Sequence, residues 1–224
     1  MQRSFCIFCW AVCASPFLAV QSAQAQFESD YLEGVYGWYE AGPSLVDNAK
    51  LEDYFGMPAA GSEIKFDPGF HFGIGIGREF TPYFKAEVES GFNYNEVDSI
   101  TGASISNAKL YRVPVMANVA LQLPNRTGLV PVVGAGVGGE WLEFDAENVT
   151  IGAISLTDRS DTWTFSYQGL AGVRYEFADR FNLGLFYRYN VADGPSWNYE
   201  ELPGSLKLNS VRSHSISLTF GWYY

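Results

Sequence analysis

Along most of the chain apolar and polar residues alternate one by one, the period of a strand whose two faces meet different surroundings. The last segment shows it most plainly. From Ser213 to Tyr224, one face carries His214, Ile216, Leu218, Phe220, Trp222 and Tyr224, and the other Ser213, Ser215, Ser217, Thr219, Gly221 and Tyr223. A seventh segment sets Phe181, Leu183, Leu185, Tyr187 and Tyr189 against Asn182, Gly184, Arg188 and Asn190, with Phe186 out of step. The same reading finds a sixth around Trp163–Tyr175, a fifth around Val133–Trp141, a fourth around Tyr111–Gln122, a third around Phe84–Tyr94 and a second around Phe70–Gly77. The first, about Val35 to Ser44, is less regular and places Glu40 on the inner face.

The connections alternate in length. Short ones fall at Thr81-Pro82, at Pro124 to Gly128 and at Ala178-Asp179; long ones run about Leu45 to Ile64, Asn95 to Asn107, Asp145 to Asp161 and Ala192 to Leu208. Eight strands with short turns at one end and long loops at the other are the layout of a transmembrane β-barrel, and 9–11 tilted residues cross a bilayer. A soluble eight-stranded, lipocalin-like barrel has the same periodicity with its apolar face turned inward. Loop asymmetry, strand length and the aromatic residues near strand ends (Tyr36, Trp38, Tyr83, Tyr94, Trp141, Trp163, Tyr175, Trp222, Tyr224) favour the membrane form. The polar face then becomes the lumen, where Glu40, Glu87, Glu89 and Glu140 meet Lys85, Arg112, Arg174 and Arg188. Such charges are costly unless paired, and adjacency of the fourth and fifth segments brings Arg112 towards Glu140.

Composition agrees. Of 224 residues only 17% are charged and 17% are aromatic, with 23 glycines; an ordinary soluble domain has about 25% charged residues. A net charge of -11 disfavours a nucleic-acid partner. Met1 to Ala25 reads as a secretory signal peptide: Arg3, the apolar run Phe5 to Val20 interrupted by Pro16, and Ala23-Gln24-Ala25 as the cleavage site. The domain reading is therefore a signal peptide over 1–25 and an outer-membrane β-barrel over 26–224. All three cysteines, Cys6, Cys9 and Cys13, fall in the leader, so a disulfide framework, a thiol nucleophile or a cysteine metal site is not expected in the mature part.

Leu183-Gly184-Leu185-Phe186-Tyr187-Arg188-Tyr189 and the ending Leu218-Thr219-Phe220-Gly221-Trp222-Tyr223-Tyr224 resemble the bacterial outer-membrane β-barrel family, which includes the OmpA transmembrane domain, OmpX and OmpW. The resemblance covers essentially all of Gln26 to Tyr224 and rests on pattern. It implies an eight-stranded, antiparallel, up-and-down transmembrane barrel in the outer membrane of a Gram-negative-type cell. It also implies that the barrel-assembly machinery reads Leu218, Phe220, Trp222 and Tyr224, with tyrosine in place of the usual terminal phenylalanine. Some small barrels of this kind modify lipid A. The deacylase kind has a His-x-Ser pair, but two residues after His214 stands Ile216. The acyltransferase kind has a leading amphipathic helix, for which Phe27 to Leu32 is too short.

Candidate chemistry is sparse. His71 falls on the inner face and reads as a hydrogen-bonded lumen residue; His214 falls on the lipid face near the rim. The runs Gly73-x-Gly75-x-Gly77 and Gly134-x-Gly136-x-Gly138 resemble fragments of a nucleotide fingerprint, yet lie inside strands with no helix after them. They read instead as room for long charged side chains opposite. The long loops are acidic, with Asp47, Glu52, Asp53 and Glu63 in the first and Asp145, Glu147, Asp158 and Asp161 in the third. A solvated surface explains them; weak divalent-cation bridging to lipopolysaccharide phosphate is the functional alternative. We expect no catalytic residue, no cofactor and no dedicated metal site. The expected protein is a monomer with a side-chain-filled lumen, in contact with outer-membrane lipid and lipopolysaccharide, with a structural or surface-interaction role through its long loops. The alternatives are a conduit for a small hydrophobic molecule and a lipid A-modifying enzyme.

Overall fold

The computed structural model describes residues 33–224 except 57, 58, 60, 152, 153, 179 and 200–203; the signal peptide expected over 1–25 lies outside the described residues. No helix among them is long and apolar enough to cross a membrane, which says nothing of crossing by strands.

The described chain is built of β-strands: β1 (Val35–Val46), β2 (Ala49–Tyr54), β3 (Glu63–Phe66), β4 (Gly69–Thr81), β5 (Phe84–Ile100), β6 (Ala103–Gln122), β7 (Leu129–Ile151), β8 (Ile154–Ala178), β9 (Phe181–Asp193), β10 (Ser196–Asn198), β11 (Ser205–Leu208) and β12 (Ser210–Tyr223). Eight of them close a ring. β1 pairs with β4, then β4 with β5, β5 with β6, β6 with β7, β7 with β8, β8 with β9, β9 with β12, and β12 returns to β1, every pair antiparallel. Closure matters because an open sheet edge in lipid would leave backbone donors and acceptors without partners. The closing seam is regular, from Tyr36↔Tyr223 to Val46↔Ser213.

Short turns hold the terminal end. Thr81 Oγ1 accepts the backbone N–H groups of Tyr83 and Phe84 at 3.2 and 3.0 Å. In the β6–β7 turn Asn125 Oδ1 accepts Thr127 N–H at 2.9 Å, and Gly128 takes a left-handed φ of 75° that a side chain would resist.

The alternation settles the choice of face. Val88, Val119, Val137, Leu185 and Leu218 point out and are more than half exposed, whereas Glu40, Glu87, Glu140 and Arg112 point in and are buried. Aliphatic residues form the outward belt, with aromatics on both sides of it: Phe92, Trp163, Tyr167 and Tyr187 towards the loop end, and Phe80, Tyr83, Tyr175, Phe181 and Tyr224 towards the termini. That is the exterior of a membrane barrel. Two of the nine expected girdle residues do not belong to it. Tyr36 and Trp38 point inward and are 2% and 4% exposed, because β1 presents its even-numbered residues, Glu40 among them, to the lumen.

The long connections are not irregular loops. β5, β6, β7 and β8 continue past the membrane belt as strands, and β2, β3, β10 and β11 form inside the first and last connections. In this upper region β10 pairs with β11, β11 with β2, β2 with β3 and β3 with the end of β5. The β6–β7–β8 extension forms the facing sheet. Between them lies a hydrophobic core that includes Leu51, Ile64, Leu110, Leu142, Phe144, Trp197, Leu206 and Leu208. We call this region the cap.

Candidate functional site

Inside the ring, polar side chains are stacked in levels from the terminal end to the cap. At the terminal mouth Arg174 Nη2 donates to Glu79 at 3.2 Å, Gln122 at 3.1 Å and Glu176 at 2.9 Å, and Tyr223 Oη donates to Glu79 at 2.9 Å. Next, the Glu87 carboxylate accepts from Lys85 Nζ and Tyr36 Oη, both at 2.6 Å. At mid-height Glu40 accepts two hydrogen bonds from Arg188, at 2.7 and 2.8 Å, with Thr219 at 3.3 Å. His71 Nε2 lies 2.7 Å from the same carboxylate and its Nδ1 2.9 Å from Asn93 Oδ1. Glu89 takes Gln168 at 2.5 Å and faces Arg188 at 3.5 Å. At the top Arg112 Nη1 reaches Glu140 at 3.3 Å and Ser213 at 2.8 Å, while Ser166 Oγ donates to Glu140 at 3.0 Å.

All eight charged residues assigned to the inner face are therefore in the lumen, and Arg112 and Glu140 meet as their register predicts. The pairing differs in one respect: Arg174 is neutralised by Glu79 and Glu176, acids that the strand pattern left unassigned because they stand at strand ends. The bidentate Arg188–Glu40 pair is the kind of geometry that repays burial of two charges. Phe186, out of step in the sequence, points inward and packs with Leu170, Ala120, Val130 and Val132 as a small apolar cluster within the lumen.

The inner-face glycines make room, though less for charges than expected. A Cβ on Gly75 would fall 2.5 Å from the Trp38 indole and one on Gly77 2.6 Å from the Tyr36 ring; only Gly73, of that run, faces a charged side chain, Glu40, at 2.9 Å. In the second run Gly136 faces Asn118 and Gly138 faces Met116. Two large aromatics turned into a narrow lumen need a neighbouring strand whose inward positions beside them carry no side chain.

At one level the lumen ends. Passing up six of the eight strands, Ser44 gives way to Val46, Asn95 to Val97, Arg112 to Leu110, Glu140 to Leu142, Asn190 to Ala192 and Ser213 to Val211, all inward and buried. The cap core thus seals the loop end of the charged column. Trp197 Nε1 donates to Leu142 O at 3.2 Å, so that the buried indole has a partner.

The loop acids are distributed over separate contacts. Glu52 pairs with Lys207 at 2.8 Å, Asp145 with Arg159 at 3.1 Å and Glu63 with Lys65 at 3.6 Å. Asp53 accepts from Ser205 Oγ at 2.9 Å and Gly56 N–H at 3.0 Å, and these hydrogen bonds, Ser205's first, hold its carboxyl below the usual aspartate range. Burial, followed by Asp158 and Asp145, pushes the Tyr199 phenol up. Among the described residues no group of three or more histidine, cysteine, aspartate or glutamate side chains is placed to hold a metal ion. His214 lies on the outer face as expected, its Nδ1 2.7 Å from Tyr187 Oη and its Nε2 3.3 Å from Asp47 Oδ1. Both ring nitrogens are occupied, as in a boundary residue.

A closed eight-stranded ring with a polar, charge-paired interior and an apolar, aromatic-flanked exterior defines an integral membrane β-barrel. The sequence profile described as "Outer membrane protein beta-barrel domain" matches residues 10–223, and the chain belongs to that family. It is similar to uncharacterized proteins of Brucella abortus (strain 2308) and Brucella suis biovar 1 (strain 1330), each 29% identical over 59% of this chain and 55% of its own length. The chain thus spans about half the length of the curated relatives it matches. Among solved structures it is similar to Neisserial surface protein A (19% identity, 86% of this chain and 98% of that one, TM-score 0.54) and to the outer membrane protein OprG from Pseudomonas aeruginosa (16%, 86% and 97%, TM-score 0.56). At these identities the likeness is one of fold. The protein is an outer-membrane β-barrel.

Proposed function

We propose that this barrel is a non-conducting, non-enzymatic outer-membrane protein that acts by presenting its folded cap at the cell surface, both termini facing the periplasm. One observation carries the reading: the charged column is filled by paired side chains and closed above by the apolar cap core, so the architecture favours a displayed surface over a passage. The conduit alternative lacks support of this kind, since a hydrophobic solute would have to part both the Arg112–Glu140 level and the packed core above it.

In this reading Met1 to Ala25 is removed on export, and the protein is a monomer held by outer-membrane lipid and lipopolysaccharide. The outward series Leu218, Phe220, Trp222 and Tyr224 is what the assembly machinery recognises. Planar-bilayer recording tests the core of the proposal. Purified protein should add no steady current to a protein-free bilayer, and a stable nanosiemens step would refute it. Surface binding is better probed by point changes at exposed cap residues such as Lys50, Glu52 and Lys65 than by removing Asp145 to Asp161, which would also take Ala146 and Val149 out of the core.

A further inference from the structure

An open groove of about 770 Å³ crosses the outer wall of the barrel, a volume within the range of about 300–1,000 Å³ typical of ligand sites. It follows two neighbouring rungs of the ladder, from Val35 and Ile76 past Ala86 and Ala117 to Ala135 and Val137. The groove climbs as it passes from β1 to β7. Val35 is the first residue of β1, whereas Ala135 lies midway between Leu129, where β7 begins, and Trp141, beyond which the outward face turns polar. Four strand spacings of roughly 4.8 Å, on strands tilted by about 45°, give a rise of about 14 Å, close to the roughly 15 Å of hydrocarbon in one leaflet.

Arg78 stands at the lower end. Its backbone pairs with Val35 on one side and Ala86 on the other, and its side chain is exposed on the face that carries Ile76. Among the described residues no side chain pairs with it. Below the level where the outward face turns polar, it is also the one charged side chain that a described strand turns to lipid. Such a charge is tolerated at the interface rather than at mid-bilayer, and the planar guanidinium fork matches a phosphate. A cation at the interface with an apolar groove rising from it to mid-membrane has the layout of a headgroup and its acyl chain. A second copy of this chain fits less well, because the outward faces of the described strands offer Arg78 no carboxylate at that level.

We propose that this groove holds one glycerophospholipid of the periplasmic leaflet, its phosphate on Arg78 and one acyl chain lying along the groove towards Ala135. The choice of leaflet rests on the orientation proposed above, with the termini in the periplasm. Retention of the lipid in detergent does not depend on orientation, so the two readings fail separately.

The probe is dioleoylphosphatidylglycerol, added to protein refolded in detergent and read by native mass spectrometry. Wild type should retain one such lipid saturably. It should retain dioleoylglycerol, which lacks the phosphate, about tenfold less tightly, as expected for loss of a hydrogen-bonded charge. Arg78→Gln should lose that preference and hold both alike. Ala117→Leu and Ala135→Leu fill the groove and should lower retention of both lipids, whereas Ala41→Leu, exposed on β1 outside the groove, should change neither. Equal retention of the two lipids by wild type, or retention that the groove-filling variants leave unchanged, overturns the proposal. So does a lipid-free dimer that Ala117→Leu dissociates, which would make the groove an interface between copies. If a variant does not fold, the wild-type comparison of the two lipids decides alone.

Discussion

The membrane wall and the cap are made by the same strands and obey opposite rules. In β7 the even-numbered residues face inward from Val130 to Ala146. Below, they are Gly134, Gly136, Gly138 and Glu140; above, they are Leu142, Phe144 and Ala146. The outward series switches at the same height, from Trp141 to Glu143 in β7, from Trp163 to Asp161 in β8, from Tyr111 to Lys109 in β6 and from Tyr94 to Glu96 in β5. Backbone geometry is continuous across this level; the solvent is not. Lipid outside favours an apolar exterior and permits a polar, paired interior. Water outside restores the ordinary arrangement, with apolar surface buried at about 25 cal/mol per Å². The comparison teaches that strand polarity in this protein reports the medium around it, and that the coincident reversal marks the upper membrane boundary.

The largest effect should come from unpairing the wall's interior. Glu40→Ala leaves Arg188 and His71 buried without their carboxylate, and breaking a buried pair costs about 3–5 kcal/mol. Urea unfolding of the refolded variant in lipid vesicles would show it; a loss below about 1 kcal/mol would mean that water replaces the carboxylate and the column is wetter than drawn. Next, Leu142→Ala excavates the cap core, where the residue is fully buried, at a cost of about 2–5 kcal/mol. The loss should appear as cap-localised hydrogen exchange and protease sensitivity, with the membrane wall intact on a heat-modifiability gel.

The same change on the wall's exterior sharpens the contrast. Leu185 is 55% exposed on the outward face, and lipid tails replace the contacts that alanine gives up, since lipid is as apolar as leucine. Leu185→Ala should therefore cost less than about 1 kcal/mol. A cost equal to that of Leu142→Ala would show that the two sites share one medium.

The smallest expected effect is a pH response confined to the cap. Asp53 has its carboxyl held below the ordinary range by Ser205 and Gly56. Its contribution is therefore present above the unfolded aspartate pKa, near 3.9, and is lost as pH falls through the lower folded value. Exchange of the Gly56 and Ser205 amides, after correction for intrinsic rate, should accelerate on acidification, and Asp53→Asn should flatten that dependence.

Much of the wall was legible in the residues. A period of two needs no partner to be recognised, and in Leu183 to Asn190 or Ser213 to Tyr224 it assigns each side chain to a face. Opposite charges on one face of adjacent strands, Arg112 and Glu140, then foretell a contact. The sequence reading faltered where local rule and medium diverge. Tyr36 and Trp38 look like interfacial aromatics, because nothing local says that Gly75 and Gly77 leave space for them inside. Glu79 and Glu176 stand at strand ends, and only barrel closure brings β4 beside the mouth where Arg174 turns.

The cap was hidden for a related reason. Leu142, Phe144, Trp197, Leu206 and Leu208 are spread over connections whose acids and glycines read as loops, and Ser196–Asn198 and Ser205–Leu208 are too short to show a period. The reversal of polarity in β7 was visible as letters, but it breaks the pattern unless one knows that a second sheet stands opposite. The residues by themselves determined a ring of alternating strands with a polar face, because alternation is local and lipid and lumen sort the two faces independently. Only the tertiary structure decided that the column is sealed and that Arg174 finds its partners in Glu79 and Glu176. Both depend on which side chains meet across a closed barrel, and closure joins strands as far apart in the chain as β1 and β12.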